Sequence, residues 1–97
     1  MTLKSAPHLG TKSNVTGTGA SVTVLAANPR RKHYMLFNDS GVAADIDLTG
    51  GTASATSCSL NMPDQSVFEP YVSGQGCYTG AITGIWASGS IRVTEFE

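Results

Sequence analysis

The sequence predicts a small all-β domain, either a β-sandwich or a jelly-roll-like fold of about seven strands. Three observations favour this fold class. The apolar residues stand in short runs that alternate or are rich in β-branched side chains, as half-buried strands are. Turn signals built from Gly, Asn and Pro separate these runs at short intervals. No segment shows the period of an amphipathic helix. A chain of 97 residues is expected to form one domain.

Seven segments carry strand-like patterns, and they cover residues 21–25, 33–38, 44–48, 58–62, 66–72, 78–86 and 91–96. The first alternates until Asn28 and Pro29 end it, because proline lacks the N–H that a ladder needs. The second is apolar on both faces, which predicts a central strand that is covered on both sides. The third alternates cleanly, so that Asp45 and Asp47 point outward and the apolar residues point inward.

The later strands carry more specific signals. Pro70 confines the strand over 66–72 to a sheet edge or a bulge. The last two strands flank residues 87–90 and are predicted to pair as a hairpin across this short Gly-containing loop. In the final strand, Ile91 and Val93 point to one face and the residues that alternate with them point to the other.

The beginning of the chain differs from the rest in composition and in charge. Residues 1–20 have no strand or helix period, so they are predicted to form an extended arm before a domain over residues 21–97. Residues 1–32 carry five basic and no acidic residues, whereas residues 33–97 carry one basic and seven acidic residues. This sorting predicts that the basic segment lies on an acidic surface, either of its own chain or of a neighbour.

Seven charged residues are predicted partner contacts, and they are Lys4, Lys12, Arg30, Arg31, Lys32, Asp45 and Asp47. The run Arg30-Arg31-Lys32 holds half of the six basic residues and could touch nucleic-acid phosphates. It has no interleaved aromatic residues, and the chain has a net charge of −1. Direct binding of nucleic acid is therefore not expected. A solvated corner and a contact with an acidic protein surface both stay open.

The composition indicates a surface that other chains partly cover. Charged residues make up 13% of the chain, about half of the ~25% that is typical. No apolar run approaches the ~20 residues of a membrane span, and the first residues lack the apolar core of a secretory signal. Synthesis in a cytoplasm is expected, with Cys58 and Cys77 reduced. One bridge between these two cysteines stays open, since spacing alone does not decide it.

The residues that could carry chemistry do not form a recognisable catalytic set. His8 lies in the predicted arm, and His33 begins a strand and is interpreted as structural. Cys58 and Cys77 have neither CxxC spacing nor paired histidines, so a zinc site is not expected. No cofactor-binding motif is present. The chain is therefore predicted not to be an enzyme and to need no cofactor.

Three aspartates are candidates for a cation site. Asp45 and Asp47 share a strand face, and Asp39 could join them around a hard cation. The spacing of a calcium-binding loop is absent. A solvated strand face, or a landing site for basic groups, is favoured instead.

Three stretches resemble small virion proteins of tailed bacteriophages, and they cover residues 20–38, 78–83 and 86–95. In those proteins a strand leads to an Asn-Pro-x-Arg corner, which is Asn28-Pro29-Arg30-Arg31 here. A hydrophobic strand then ends in Asn, here Asn38, and a Tyr-Thr-Gly-Ala segment, here residues 78–81, comes before a final hairpin. Residues 52–65 match no part of this pattern. The resemblance implies an all-β component of a virus particle with no enzymatic chemistry.

The leading functional hypothesis is a capsid decoration, or cement, protein. The domain would sit across junctions between capsid subunits, and the arm would add backbone hydrogen bonds at a neighbour's sheet edge. The expected partners are the major capsid protein or other virion proteins, together with further copies of this chain. A neck, tail-ring or fibre component is the alternative within the particle. A less favoured alternative is a carbohydrate-binding module that uses Tyr34, Tyr71 and Trp86.

Overall fold

The computed structural model describes residues 10–70 and 76–97. Within these residues the regular elements are all strands, and no helix is present, let alone one long and apolar enough to cross a membrane. The eight strands are β1 (Gly10–Thr16), β2 (Ser21–Leu25), β3 (His33–Asp39), β4 (Ala44–Asp47), β5 (Leu60–Met62), β6 (Val67–Phe68), β7 (Ile82–Ile85) and β8 (Ser90–Phe96).

The strands form two antiparallel sheets of four strands each. The front sheet has the order β1-β8-β3-β6, and the back sheet has the order β2-β7-β4-β5. The core lies between them and draws on both: Leu36, Ile91 and Val93 from the front sheet pack with Ile46 and Ile82 from the back sheet. The predicted all-β sandwich is confirmed, with eight strands where about seven were expected.

The additional strand is β1, which lies within the predicted arm. All seven of its residues pair with β8, from Gly10 opposite Phe96 to Thr16 opposite Ser90. The prediction that residues 1–20 form an arm without a strand is therefore wrong for β1, while residues 1–9 lie outside the described residues. The sequence of residues 10–16 does not predict a strand, because backbone hydrogen bonds to β8, and not buried side chains, hold β1 in place. Its side chains are exposed except for Val15, which is partly buried against the core.

The predicted hairpin between the last two strands is also wrong. β7 pairs with β2 and β4 in the back sheet, whereas β8 pairs with β1 and β3 in the front sheet. The chain crosses between the sheets at Trp86, whose side chain is buried and donates from Nε1 to the Gly89 carbonyl at 2.9 Å. Gly17 lies so close to the indole that a Cβ there would come within 2.3 Å of it. A buried tryptophan at the crossing therefore replaces a tight turn.

Asn38 joins three segments at one end of the core. Its side chain is fully buried. Its Nδ2 group donates to the carbonyls of Val42, Met62 and Pro63 at 2.8 to 3.2 Å, and its Oδ1 accepts from Ser40. Every buried side-chain polar atom of the described residues has a partner. This asparagine thus ties the end of β3 to the end of β5, because carbonyl groups buried there need donors.

Other strand predictions agree with the structure. β3 is an inner strand of its sheet, and β6, which precedes Pro70, lies at the edge of the front sheet. Ile91 and Val93 point into the core. Asp45 and Asp47 lie opposite Ile85 and Thr83 on the outward side of β4. The alternation of side chains along β4 and β8 therefore predicted correctly which of their residues face inward.

Candidate interaction surface

The side of the front sheet that points away from the back sheet is called the outer face here. β3 contributes Met35 and Phe37 to this face, while its alternate residues Tyr34 and Leu36 are buried in the core. Phe37 has Arg92 opposite it on β8 and Val67 opposite it on β6. Val67 is 59% exposed, and Met35 and Phe37 are half-buried.

The described strands form two sheets, so no third layer of them covers this face. The prediction that β3 is covered on both sides is thus met on one side by the described chain. On the other side, an apolar row of Met35, Phe37 and Val67 faces outward. Large apolar side chains that stand together on a surface mark sites of contact with other molecules.

A shallow groove of about 340 Å³ runs along this face between β3 and β1. The residues that line it are apolar and polar, and they are Lys12, Ser13, Asn14, Met35, Phe37, Arg92, Val93 and Thr94. The register explains the grouping, because Lys12 lies opposite Thr94, which in turn lies opposite Met35. The groove therefore has an apolar wall on β3 and a basic, hydrogen-bonding wall on β1 and β8.

Hydrogen bonds fix the charged groups at one end of this face. Asp39 accepts from Gln65 Nε2 at 2.8 Å and from Arg92 Nε and Nη2 at 3.0 and 2.9 Å. The Gln65 amide, followed by the Arg92 guanidinium, holds the pKa of Asp39 below its ordinary value. Arg92 is thus oriented along the face by a charged acceptor, while its side chain stays 61% exposed.

His33 lies at the opposite end of the outer face. Its Nε2 atom is 2.7 Å from a carboxylate oxygen of Glu69, and its ring lies 6.0 Å from that of Phe96. These contacts agree with the structural interpretation of His33, because they join the first residue of β3 to the segment after β6. His8 lies outside the described residues.

The predicted contact residues fall into three groups. Lys12 lies on the outer face, in the groove. Arg30 and Lys32 are exposed at the corner before β3, where Arg30 lies 3.4 Å from Glu97. Asp45 and Asp47 lie on the back sheet, and Lys4 lies outside the described residues. The structure therefore does not bring these residues together as one patch.

Arg31 is the exception in the basic corner, because it is buried with 3% exposure. Its Nε donates to Glu95 at 2.8 Å, and its two terminal nitrogens donate to the carbonyls of Ala26, Tyr78 and Gly80. Each of the three guanidinium nitrogens thus donates inside the chain. This corrects the prediction that Arg31 contacts a partner. Sequence reasoning treated it as one of three equal charges, and nothing local distinguishes it from its neighbours.

The basic corner does meet acidic groups, and they belong to the same chain. Asn28 donates to both Glu95 and Glu97, the acids that also accept from Arg31 and Arg30. The expectation that basic residues lie on an acidic surface of their own chain is confirmed for these two arginines.

The acidic pair of β4 is engaged on the outward side of the back sheet. Asp45 accepts from Asn61 at 2.8 Å, and Asp47 accepts from the backbone and hydroxyl of Thr49. Asp47 is buried, so it is not the solvated landing site that was expected. Among residues 10–70 and 76–97, no group of three or more His, Cys, Asp or Glu side chains could hold a metal ion.

The two cysteines are free thiols in different environments. Cys58 is exposed, and Cys77 is half-buried with its sulfur 3.9 Å from the Arg31 carbonyl oxygen. Desolvation, followed by the nearby Asp45 carboxylate, raises the pKa of Cys58. A raised pKa keeps the thiol protonated and poorly nucleophilic. The surroundings of Cys58 therefore do not activate its thiol.

The aromatic residues considered for sugar binding are mostly unavailable. Tyr34 is 1% exposed and Trp86 is 3% exposed, so neither offers a ring face to a ligand. Tyr71 lies outside the described residues. The carbohydrate-binding alternative needs exposed aromatic rings, and neither Tyr34 nor Trp86 provides one.

Sequence reasoning placed its contact candidates on charges and so missed the apolar row of the outer face. The available signal is the apolar character of both sides of β3, which equally predicts burial inside one chain. β1 gave a weaker signal, because its polar composition is equally typical of a loop. No protein-family model matches this chain, and no curated protein or solved structure matches it either.

Proposed function

We propose that this chain is a structural component of a tailed-bacteriophage virion, and that it serves as a decoration protein on the capsid. The phage assignment is supported by the resemblance of residues 20–38, 78–83 and 86–95. The assembly role is supported by one observation above the others: an inner strand, β3, carries half-buried apolar side chains on the side that no described strand covers.

The physical argument starts from the cost of leaving that row in water. Burying apolar surface contributes about 25 cal/mol for each Å² removed from water. Met35, Phe37 and Val67 stand beside one another across β3 and β6, so one flat partner surface would cover all three. A capsid shell supplies such a surface many times over. Weak single contacts then become strong in total, because each one is repeated at high effective concentration.

The polar groups around the row indicate what the partner surface carries. Lys12 and Arg92 flank the apolar residues, and Asp39 engages Arg92 from one side. A partner with apolar residues bordered by a carboxylate would match this arrangement. The contact would be of the kind found at protein interfaces, where an apolar centre is surrounded by a polar rim.

The first test is the number of copies of this chain in purified virions from cells that express it, measured by quantitative mass spectrometry. Several hundred copies would support decoration of the shell. Six or twelve copies would indicate a neck or tail ring instead and would overturn the decoration role. Absence from the particle would overturn the whole proposal.

The second test separates the outer face from the rest of the surface. Phe37→Glu places a carboxylate opposite Arg92 within the apolar row. The variant should fold normally but should bind poorly to particles. Thr23→Glu is the matched control, because Thr23 is exposed on the outward side of the back sheet. Equal loading of both variants would contradict the use of the outer face.

A further inference from the structure

We infer that two copies of this chain pair through their β1 strands, edge to edge, and so form a dimer with one continuous eight-stranded front sheet. The inference is independent of the proposed function, since it rests on the backbone geometry of β1 alone. It starts from the position of β1 at the end of the strand order. Among the described residues, no strand pairs with the edge of β1 that faces away from β8.

The direction of the β1 backbone groups follows from one hydrogen bond. The Gly17 N–H donates to the Gly89 carbonyl at 2.9 Å, directly after the last β1–β8 pair, Thr16 with Ser90. Backbone groups alternate in direction along an antiparallel strand. The odd-numbered residues of β1 therefore point their N–H and C=O groups toward β8. The four even-numbered residues, Gly10, Lys12, Asn14 and Thr16, point theirs away from the sheet.

The other three sheet edges are poor templates for pairing. β6 has two residues and β5 has three. β2 has five residues but shifts register between Thr23 and Leu25. β1 has seven residues in unbroken register and contains no proline. A long, regular edge without proline or a bulge is a ready site for strand pairing.

The occupant is a second copy because the β1 edge is complementary to itself. A two-fold axis at Ser13 places Lys12 opposite Asn14 of the second copy, and Gly10 opposite Thr16. Each of these residues points its backbone groups toward the other chain, so the full length of the strand is used. A register centred on Lys12 would instead place two ammonium groups opposite each other, which disfavours pairing. Isologous contacts of this kind generate closed two-fold dimers.

The dimer would also join the two outer faces. Asn14 lies in one row with Arg92 and Phe37, and Lys12 lies in one row with Thr94 and Met35. Pairing Asn14 with Lys12 of the second copy makes these rows continuous across the axis. The two grooves then lie on one surface, each with its basic wall toward the centre.

The experiment is analytical ultracentrifugation of the full chain over a concentration series, with two variants of one residue. Asn14→Pro removes an N–H that points away from β8, so it should leave the β1–β8 ladder intact. We expect it to raise the dimer dissociation constant by about tenfold or more, since each copy loses an intermolecular bond. Asn14→Ala keeps the N–H and should dimerise like the parent chain. A monomeric parent chain, or a dimer that Asn14→Pro leaves unchanged, would overturn the inference.

A cysteine pair tests the register. In a Cys58→Ser, Cys77→Ala background that circular dichroism shows to be folded, Ser13→Cys should form an intermolecular disulfide under mild oxidation. The two residues face each other at the axis about 4.5 Å apart, within disulfide reach. Thr11→Cys is the control, because its two copies would lie roughly 13 Å apart along the strands. Equal crosslinking at both positions would contradict the register.

Discussion

The outward faces of the two sheets differ in what covers them. Part of the back sheet's outward side is covered by residues 49–53, which are called the roof here: Thr83 donates to the Gly51 carbonyl, the Ala53 N–H donates to Ser21, and Ala53 is 2% exposed. The front sheet has no such roof among the described residues, although its outer face is the more apolar. Folding of the described residues therefore covers part of one side of the sandwich and leaves the outer face open.

The same contrast holds for the arginines. Arg31 is enclosed at the end of the core, where four acceptors and the ring of Tyr34, 5.5 Å away, surround its guanidinium. Arg92 lies on the outer face and pairs with Asp39 in the presence of water. An enclosed ion that loses its partners is costly, whereas an exposed pair contributes little. These two residues therefore report on closed and open parts of one molecule.

The largest effect is expected from comparing Arg31→Met with Arg92→Met. Arg31→Met should lower the free energy of unfolding by roughly 3–5 kcal/mol, because it removes the charged partner of Glu95 and the donor to three carbonyl groups. Arg92→Met should cost less than about 1 kcal/mol. Urea denaturation of both variants provides the measurement. Similar losses for the two would break the contrast between the closed corner and the open face.

The next effect concerns the two sides of β3. Burial raises the pKa of Tyr34, on the inner side, to about 12. The folded state thus holds this proton more tightly than the unfolded state, whose tyrosine keeps an ordinary pKa near 10. Stability is fully present below about pH 10 and falls as the pH rises toward 12, by about 2–3 kcal/mol. Denaturation at several alkaline pH values measures the fall, and Tyr34→Phe should flatten it. A parent chain with no loss in this window would contradict a buried phenol.

A smaller effect is expected from adding one carboxylate to each outward face. Ala53→Glu forces a charge under the roof of the back sheet and should cost about 1–3 kcal/mol as the loop lifts. Phe37→Glu, on the outer face, should cost about 1 kcal/mol or less, because its new side chain reaches water and Arg92. Thermal melting of the two proteins ranks them. The reverse order would mean that Phe37 is the more deeply buried of the two residues and that Ala53 tolerates a charge.

Alternating patterns predicted much of this fold, because a half-buried strand needs an apolar residue at every second position. The core sides of β4 and β8 followed from that rule alone, whereas β3 is apolar on both faces and its core side did not follow from the sequence. Sheet partners did not follow, since pairing depends on where Trp86 can be buried, and no local pattern contains that information. β1 was missed because backbone hydrogen bonds define it, and these leave no mark on composition.

The candidate surface was visible in the sequence only in part. The apolar character of both sides of β3 was recognised, but the side that stays open depends on the loop over the back sheet. That loop comes from residues 49–53, whose small and polar side chains carry no sequence signal for this contact. Arg31 was misplaced for a related reason: its burial depends on carbonyl groups from two distant segments, near Ala26 and near Tyr78.

The central claim is that another chain covers the outer face in the assembled particle. Methionine oxidation by peroxide, read by mass spectrometry, tests it with an internal control. In the free protein Met35, half-buried on the outer face, should oxidise readily, whereas Met62, 2% exposed, should resist. In purified particles we expect Met35 to become as resistant as Met62. Equal oxidation of Met35 in the free and assembled states would contradict the account.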